Sequence, residues 1–251
     1  MPDNAAYIVE VFSSIQGEGL TCGERQIFVR FALCNLSCDY CDTPDARLQP
    51  ANCLVERTSG RGDMKEEPNP VSVARLVEIV RLLNVPPGVH HSISLTGGEP
   101  LLHAGFLRDF LPANRANNIR CQLETNGTLP EKLAEIIEFV DFVSMDIKLK
   151  SASGAETPWE AHRRFLEISR RKPTWVKVVI SEITSPEEIR QAASLVAAVN
   201  PGIPMIIQPA TPAGPVRAPS GAALIKLQKE ARAHLHAVRV IPQTHKMLGL
   251  K

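Results

Sequence analysis

The chain has 251 residues, of which 44% are hydrophobic and 22% charged, and Lys plus Arg outnumber Asp plus Glu by only 28 to 27. This length suits one domain with a well-buried core, and the balanced charge argues against a disordered chain or a polyanion partner. No apolar run reaches the roughly 20 residues that span a bilayer, and no signal region precedes the first strand, so we expect a single cytoplasmic domain over 1–251 with no nucleic-acid or membrane partner.

The apolar pattern predicts an α/β protein in which strands and helices alternate. The predicted strands are 7–12, 27–33, 92–96, 120–124, 142–147, 176–181, 204–208 and 238–241. The predicted helices are 72–83, 130–140, 158–170, 186–199 and 220–234. This alternation is typical of βαβ units with a mainly parallel sheet. About six crossover units are fewer than the eight of a closed barrel, which favours an incomplete, open β/α barrel of about six parallel strands, with an N-terminal strand paired beside it.

Residues 43–70 interrupt this alternation. They are polar, rich in Arg, Glu and Pro, and show no clear period. Long segments of this kind are usually functional loops or variable insertions. We expect a variable excursion here that forms a partly ordered lid beside the preceding cysteines.

Three cysteines lie directly after the predicted strand 27–33. Cys34, Cys38 and Cys41 have the spacing C-x3-C-x2-C. A four-iron cluster usually takes four cysteines, so three predict either a distant fourth ligand or an open, reactive iron. The other cysteines, expected to be buried or loop thiols, are Cys22, Cys53 and Cys121. Of these, Cys22 and Cys53 are close enough in sequence to remain candidates for a fourth ligand.

The same cysteines could form half of a structural zinc site. Zinc needs a fourth nitrogen or sulfur ligand to complete its tetrahedron. No nearby C-x2-C or H-x3-H supplies one, and the pair His90 and His91 precedes a strand at what should be the opposite rim. We therefore do not favour structural zinc.

Polar motifs follow the next predicted strands. They are Thr-Gly-Gly-Glu-Pro at 96–100, Glu-Thr-Asn-Gly at 124–127 and Asp-Ile-Lys at 146–148. Each would be an ordinary turn if it stood alone. Because the carboxyl ends of parallel strands meet at one rim, we expect these motifs to converge with the cysteines.

The cysteine loop together with 96–100 resembles the radical S-adenosylmethionine (SAM) superfamily over essentially the whole chain. The resemblance implies a 4Fe-4S cluster on Cys34, Cys38 and Cys41, with SAM bound to the open iron. It implies SAM-binding roles for Gly98, Glu99, Glu124, Asn126, Asp146, Ile147 and Lys148. Glu99 would hold its loop or the ligand. Relatives with this cysteine loop have Ser-Pro-Lys at 146–148, and this chain departs at the first two positions.

Further motifs resemble one family within this superfamily, the 7-carboxy-7-deazaguanine synthases. They are Ser-Ile-Gln-Gly-Glu-Gly at 14–19, Phe-Val-Arg-Phe at 28–31, Cys-Asp-Thr at 41–43, Ile-Gln-Pro at 207–209 and Ile-Pro-Gln-Thr-His-Lys at 241–246. The resemblance implies that a pterin substrate contacts Ile15, Gln16, Gly17, Arg30, Thr96, Gln208 and His245. Arg30 would pair with its carboxylate, and Thr43 would bind Mg²⁺. Without the resemblance, Arg30 would be a surface contact and Thr43 a turn residue.

The family's reaction converts 6-carboxy-5,6,7,8-tetrahydropterin to 7-carboxy-7-deazaguanine, with loss of ammonia. The resemblance implies a 5′-deoxyadenosyl radical that removes hydrogen from the pterin, a flavodoxin or ferredoxin electron donor, and a homodimer. No acid/base pair is identifiable in the sequence.

Two alternatives remain open at this point. A glycyl-radical-enzyme activase shares the cysteine spacing and a compact partial barrel, although 14–19 and Thr43 argue against it. The non-enzymatic alternative is an iron–sulfur electron-transfer or zinc module.

Overall fold

The computed structural model describes residues 4–250 and contains both strands and helices in alternation. The strands are β1 (Ala5–Ala6), β2 (Ile8–Ile15), β3 (Arg25–Phe31), β4 (Asn52–Glu56), β5 (Met64–Pro68), β6 (Val71–Ser72), β7 (Ser92–Gly97), β8 (Arg120–Thr125), β9 (Phe142–Ile147), β10 (Thr174–Ile180), β11 (Met205–Pro209) and β12 (Val238–Val240). The α-helices are α1 (Val73–Leu83), α2 (Ala104–Asn114), α3 (Pro130–Ile136), α4 (Lys150–Ser153), α5 (Trp159–Ser169), α6 (Pro186–Val199), α7 (Gly221–Arg232) and α8 (Thr244–Met247).

Ten strands form one sheet in the order β12-β11-β10-β9-β8-β7-β3-β2-β4-β5. From β3 to β12 every neighbouring pair is parallel, while β2 is antiparallel to β3. The prediction of a mostly parallel α/β sheet is therefore confirmed. The parallel run contains seven strands rather than about six, because six crossovers connect seven strands. The N-terminal strand is longer than the predicted 7–12.

The two faces of the sheet differ in polarity. Along β7, Ile93 and Leu95 are fully buried in the hydrophobic core, while Ser92 and Ser94 alternate with them and are buried as well. Successive side chains of a strand point to opposite faces of the sheet. The serines therefore form a buried polar face opposite the apolar one. The helices pack on the apolar face and leave the polar face and the strand ends for chemistry.

The segment 43–70 differs from the predicted lid. Its larger part is an antiparallel hairpin of β4 and β5, and β4 pairs in parallel with β2, so the hairpin extends the sheet. Cys53 and Val55 alternate inward on β4 and are buried. The outer strand β5 carries Lys-Glu-Glu at 65–67, which disfavours pairing with another strand edge.

Helix α2 was not predicted from the sequence, although its apolar residues have helical spacing. Phe106, Leu107, Phe110 and Leu111 are all buried, and Pro112 lies inside the helix. The predicted helix 130–140 ends earlier, at Ile136, and continues as a short 3-10 helix. Within residues 4–250, no helix combines the length and apolar character needed to cross a membrane.

Candidate active site

One cavity at the carboxyl ends of the parallel strands collects nearly all residues predicted for the site. The predicted residues that line it are Cys34, Cys38, Cys41, Thr43, Gly98, Glu124, Asn126, Asp146, Lys148, Ile15, Gln16, Gly17, Arg30, Thr96, Gln208 and His245. Two predicted residues do not: the side chain of Ile147 lies in the hydrophobic core, and that of Glu99 is fully buried beneath the loops. Any contact of these two residues with SAM would therefore involve their backbone atoms.

The three clustered cysteines lie on the loop that leaves β3. The Cys41 N–H donates to the Cys38 carbonyl at 3.1 Å, which closes the turn between them. Burial raises the pKa of the Cys34 and Cys38 thiols. Metal binding requires thiolates, so these half-buried thiols need a strong cation to ionise them. Cys22 and Cys53, the candidates for a fourth ligand, do not line the cavity.

Gly98 brings the loop after β7 into backbone contact with the cysteine loop. A Cβ at this position would lie 1.8 Å from the Leu33 carbonyl oxygen. That same oxygen accepts a hydrogen bond from the Glu99 N–H at 2.8 Å, and the Gly98 N–H donates to the Phe31 carbonyl at 3.0 Å. Glycine is therefore required here because two loops touch, whatever ligand lies above them.

Glu99 connects the loops beneath the cavity. Its carboxylate accepts hydrogen bonds from the Leu101 N–H at 3.0 Å, the Thr125 hydroxyl at 2.8 Å and the Asn126 N–H at 2.8 Å. The Asn126 side chain then donates to Asn35 of the cysteine loop at 2.8 Å. Burial raises the pKa of Glu99. Of its two predicted roles, holding the loop agrees with these contacts.

The side chain of Gln16, predicted to contact the pterin, is hydrogen-bonded to that of Glu124, predicted to contact SAM. The Gln16 amide donates to Glu124 at 2.6 Å and to Gln26 at 2.9 Å, and its oxygen accepts from the Glu18 N–H at 3.0 Å. Ser94 donates to the same Glu124 oxygen at 2.6 Å. Both amide hydrogens of Gln16 are thus used within the protein, and its remaining capacity for a ligand is one oxygen lone pair.

A row of alternating charges crosses the cavity. Lys177 on β10 forms a short ion pair with Glu18 and lies 3.5 Å from Asp146. Lys148 lies 2.7 Å from the same Asp146 oxygen and donates to the Tyr40 hydroxyl at 2.9 Å. Burial alone would lower the pKa of both lysines, but the neighbouring carboxylates hold it well above the usual range. Both lysines therefore act as fixed cations.

The carboxylate of Glu18 is held at both of its oxygens. Burial alone would raise its pKa, but Lys177 and a hydrogen bond from Gln243 lower it to about 2. The Gln243 amide donates to Glu18 at 2.7 Å and to Asp42 at 3.0 Å, and its oxygen accepts from Thr211 at 2.6 Å. Glu18 is therefore an ionised carboxylate held from two sides.

Sequence reasoning did not select Glu18, Lys177, Tyr40 or Gln243. Glu18 lies inside the motif at 14–19 and Gln243 inside the one at 241–246, so both could have been found there. For Lys177 the signal was a charged residue among the buried apolar residues of β10. Charges are buried mainly when they are paired, so a lysine in such a strand indicates a carboxylate partner.

The C-terminal segment packs on the turn that carries Glu18. A Cβ at Gly17 would lie 2.1 Å from the Nδ1 of His245, and the Thr244 N–H donates to the Gly17 carbonyl at 3.0 Å. The Cys22 sulfur lies 3.1 Å from the Thr244 hydroxyl. Gly17 therefore allows His245 to reach the cavity, and this contact brings the motif at 14–19 against the motif at 241–246.

Three donors near this turn come close enough to consider a metal ion. Single ligand atoms of Glu18, Asp42 and His245 all lie within 4.8 Å of one another. Lys177 already pairs with Glu18, and Lys246 lies 3.4 Å from Asp42. These two ammonium groups balance the carboxylates, so the group does not require a cation.

Other polar groups of the cavity remain available to ligands. Within residues 4–250, the Asp146 Oδ1 and Gln208 Oε1 atoms are buried without a hydrogen-bond partner. Such atoms carry a desolvation penalty that a ligand can remove. Arg30 donates its Nε–H to Glu10 at 2.9 Å, and Thr43 precedes the short helix Pro44–Arg47 without capping it by its hydroxyl.

Comparison with known proteins gives matches over most of the chain. Residues 29–181 match the family described as the radical SAM superfamily. The chain is 44% identical to 7-carboxy-7-deazaguanine synthase of Geobacter sulfurreducens, covering 99% of each chain, and 38% identical to that of Methanothermobacter thermautotrophicus, covering 98% of each.

Solved structures with low sequence identity share the fold. QueE from Escherichia coli is 20% identical with a TM-score of 0.61, covering 95% of this chain and 94% of that one. Streptococcus suis SuiB bound to S-adenosylmethionine is 14% identical with a TM-score of 0.56, covering 86% of this chain and 51% of that one. Identities this low are informative about architecture alone.

Proposed function

The chain belongs to the radical SAM superfamily and, within it, to the 7-carboxy-7-deazaguanine synthase family, and on this premise we propose the reaction of its cavity. It is a radical SAM lyase that converts 6-carboxy-5,6,7,8-tetrahydropterin to 7-carboxy-7-deazaguanine with loss of ammonia. The observation that carries the proposal is one cavity in which three loop cysteines face Arg30 and an ionised Glu18. Such a cavity suits a cluster beside an organic molecule that has both a carboxylate and N–H donors.

Cys34, Cys38 and Cys41 would hold a 4Fe-4S cluster, and the motifs after the neighbouring strands would hold SAM. When bound, the cluster would supply one electron and SAM would supply a 5′-deoxyadenosyl radical. The fit is supported by the Oδ1 of Asp146, a residue that lines the same cavity: in the described part of the chain this atom is buried without a hydrogen-bond partner. Gly98, Glu124, Asn126 and Lys148 would complete the SAM site, and Glu99 would keep their loops in register.

Mg²⁺ would bind at Thr43. The cation prefers oxygen ligands and usually retains water or substrate oxygens in its coordination sphere. Thr43 lines the cavity and its hydroxyl does not cap the following helix, so this oxygen can coordinate a cation. The substrate carboxylate would supply another oxygen.

Arg30 would pair with the substrate carboxylate. Its Nε–H is bound to Glu10, so the two terminal amino groups are the ones that can form a forked pair. Glu18 would accept hydrogen bonds from the N–H groups of the pterin ring, and Gln208 and His245 would approach from the later strands. Ile15, Gly17 and Thr96 would complete the wall.

The two lysines of the cavity would act as fixed cations rather than transfer protons. Neighbouring carboxylates raise the pKa of Lys148 and Lys177, despite the opposing effect of burial, so both remain protonated. A permanently charged ammonium cannot act as a general base near neutral pH.

The wider setting follows from the same family. We propose that the seven parallel strands curve into an open barrel and that residues 1–251 form one radical SAM domain. A flavodoxin or ferredoxin would supply the electron, and two copies would form a homodimer. The cytoplasm is the proposed compartment, because all six cysteines are free and reducing conditions keep such thiols reduced.

The test is a single-turnover assay under anaerobic conditions. Purified protein with a reconstituted cluster receives dithionite, SAM, Mg²⁺ and the carboxytetrahydropterin. We expect a deazaguanine chromophore, with SAM regenerated rather than consumed in proportion to product, because the reaction loses only ammonia and the abstracted hydrogen must be returned. An intact cluster that cleaves SAM without forming the deazaguanine would contradict the proposed reaction, and zinc in place of iron would contradict the cluster.

A further inference from the structure

Lys177 has no ligand role in the proposed reaction, yet it lies at the centre of the row of charges. It is the polar residue of an otherwise apolar stretch of β10, between the fully buried Val176 and Val178. In the sheet register it lies beside Asp146 on β9. Burying a long charged side chain at this depth is costly unless its ammonium is paired.

The two carboxylates beside Lys177 depend on it unequally. Glu18 has one ion pair within the described part of the chain, and that pair is with Lys177. Asp146 has two, with Lys148 at 2.7 Å and with Lys177 at the longer distance of 3.5 Å. Removing Lys177 would therefore leave Glu18 without a cation while Asp146 keeps its closer one.

Glu18 is held at both oxygens. Lys177 contacts Oε2, and the Gln243 amide donates to Oε1. The backbone N–H of Glu18 is also bound, to the Gln16 oxygen. An ionised carboxylate has about four acceptor positions, so this arrangement fixes the plane of the group and still leaves capacity for a ligand that lies in the cavity.

We propose that Lys177 is a positioning residue for the substrate half of the site: it fixes the Glu18 carboxylate so that it can accept hydrogen bonds from adjacent N–H groups of a heterocycle. The inference rests on the proposed function, which supplies a pterin with such donors. Lys177 acts through Glu18. SAM binding depends mainly on Asp146 and Lys148, at the other end of the row of charges.

The experiment compares Lys177→Met, Lys177→Arg and, as a control, Lys226→Met, which changes an exposed lysine on α7. Steady-state kinetics with each substrate varied separately give KM for the pterin and for SAM. For Lys177→Met we expect the pterin KM to rise about tenfold or more, with the SAM KM and kcat changed by less than about threefold. Lys177→Arg should fall between Lys177→Met and wild type, and Lys226→Met should match wild type.

Several results would overturn the inference. An unchanged pterin KM in Lys177→Met, or equal increases in the two KM values, would show that Lys177 does not act through Glu18. If Lys177→Met does not retain a cluster, Lys177→Arg decides, because it keeps the charge but places a wider group. A pterin KM raised by about fivefold or more, with the SAM KM unchanged, supports the inference, and a pterin KM within about threefold of wild type overturns it. Failure of the wild type to form the deazaguanine would instead refute the proposed function.

Discussion

Replacing Gly98 by alanine tests the contact between the cysteine loop and the loop after β7. The added Cβ would lie 1.8 Å from the Leu33 carbonyl oxygen and 2.5 Å from its carbon. Since real Cβ atoms stay at least 3.0 Å from such atoms, the two loops would have to separate by about 1.2 Å. The obstacle is backbone on both sides, so no flexible side chain can move aside.

Forced overpacking of this kind costs about 1–3 kcal/mol of unfolding free energy. For a chain of this size, each kcal/mol lowers Tm by about 2–4 °C. The activity should fall further than the stability, because a displacement of about 1 Å at a reacting centre can cost about a hundredfold in rate. Gly98→Ala should therefore lower Tm moderately and nearly abolish SAM cleavage.

The assay is thermal unfolding of the cluster-free protein, followed by iron analysis and SAM cleavage after reconstitution. Gly221→Ala is the matched control, because a Cβ there meets nothing within 4 Å. We expect the control to match wild type in iron content and SAM cleavage, with a Tm equal to or slightly above that of wild type because alanine favours the helix. Wild-type Tm, iron content and cleavage in Gly98→Ala would refute the argument that glycine is required for loop contact.

Three further predictions concern other parts of the molecule. Arg30→Lys keeps the charge but loses the forked pair, so the pterin KM should rise about tenfold while SAM cleavage without pterin stays unchanged; an unaltered KM would contradict the role. Thr43→Ala should retain its iron but lose its response to Mg²⁺, and equal stimulation would count against Thr43 as a ligand. Burial lowers the pKa of His90 from 6.5 to about 4, so stability should fall by up to about 3 kcal/mol as pH drops through this window. His90→Gln should flatten that pH dependence in denaturant titrations, and a profile as steep as that of wild type would refute it.

The sequence predicted the parallel strands well because their apolar runs are buried against helices. Residues 52–68 were missed because they form a hairpin at the edge of the sheet. There, Asn52 and Leu54 of β4 are exposed, and β5 carries charged residues that disfavour pairing at its free edge. Alternation of Cys53 and Val55 was the available signal, and it covers too few residues to stand out from a polar loop.

Site residues that belong to a sequence motif were predicted, and site residues whose role depends on a tertiary contact were missed. Glu99 was found from its motif, but the sequence could not decide between loop and ligand, since its three donors come from two separate loops. Lys177 belongs to no motif, and its role depends on an ion pair with Glu18, which lies 159 residues away in the sequence. Pairs this distant follow from the topology of the sheet and cannot be obtained from local patterns.

The contact between the turn at Gly17 and the segment at His245 has a consequence for biosynthesis. Glu18 and Gln243, which hydrogen-bond across the cavity, are separated by 225 positions. During synthesis the cysteine loop and the first strands leave the ribosome long before Gln243 is added. A ribosome-bound chain that lacks residues 241–248 can present the cysteines, but it cannot yet hold Glu18 from both sides. The pocket for the substrate therefore cannot be completed until residues 241–248 have been synthesised and have packed against the turn at Gly17.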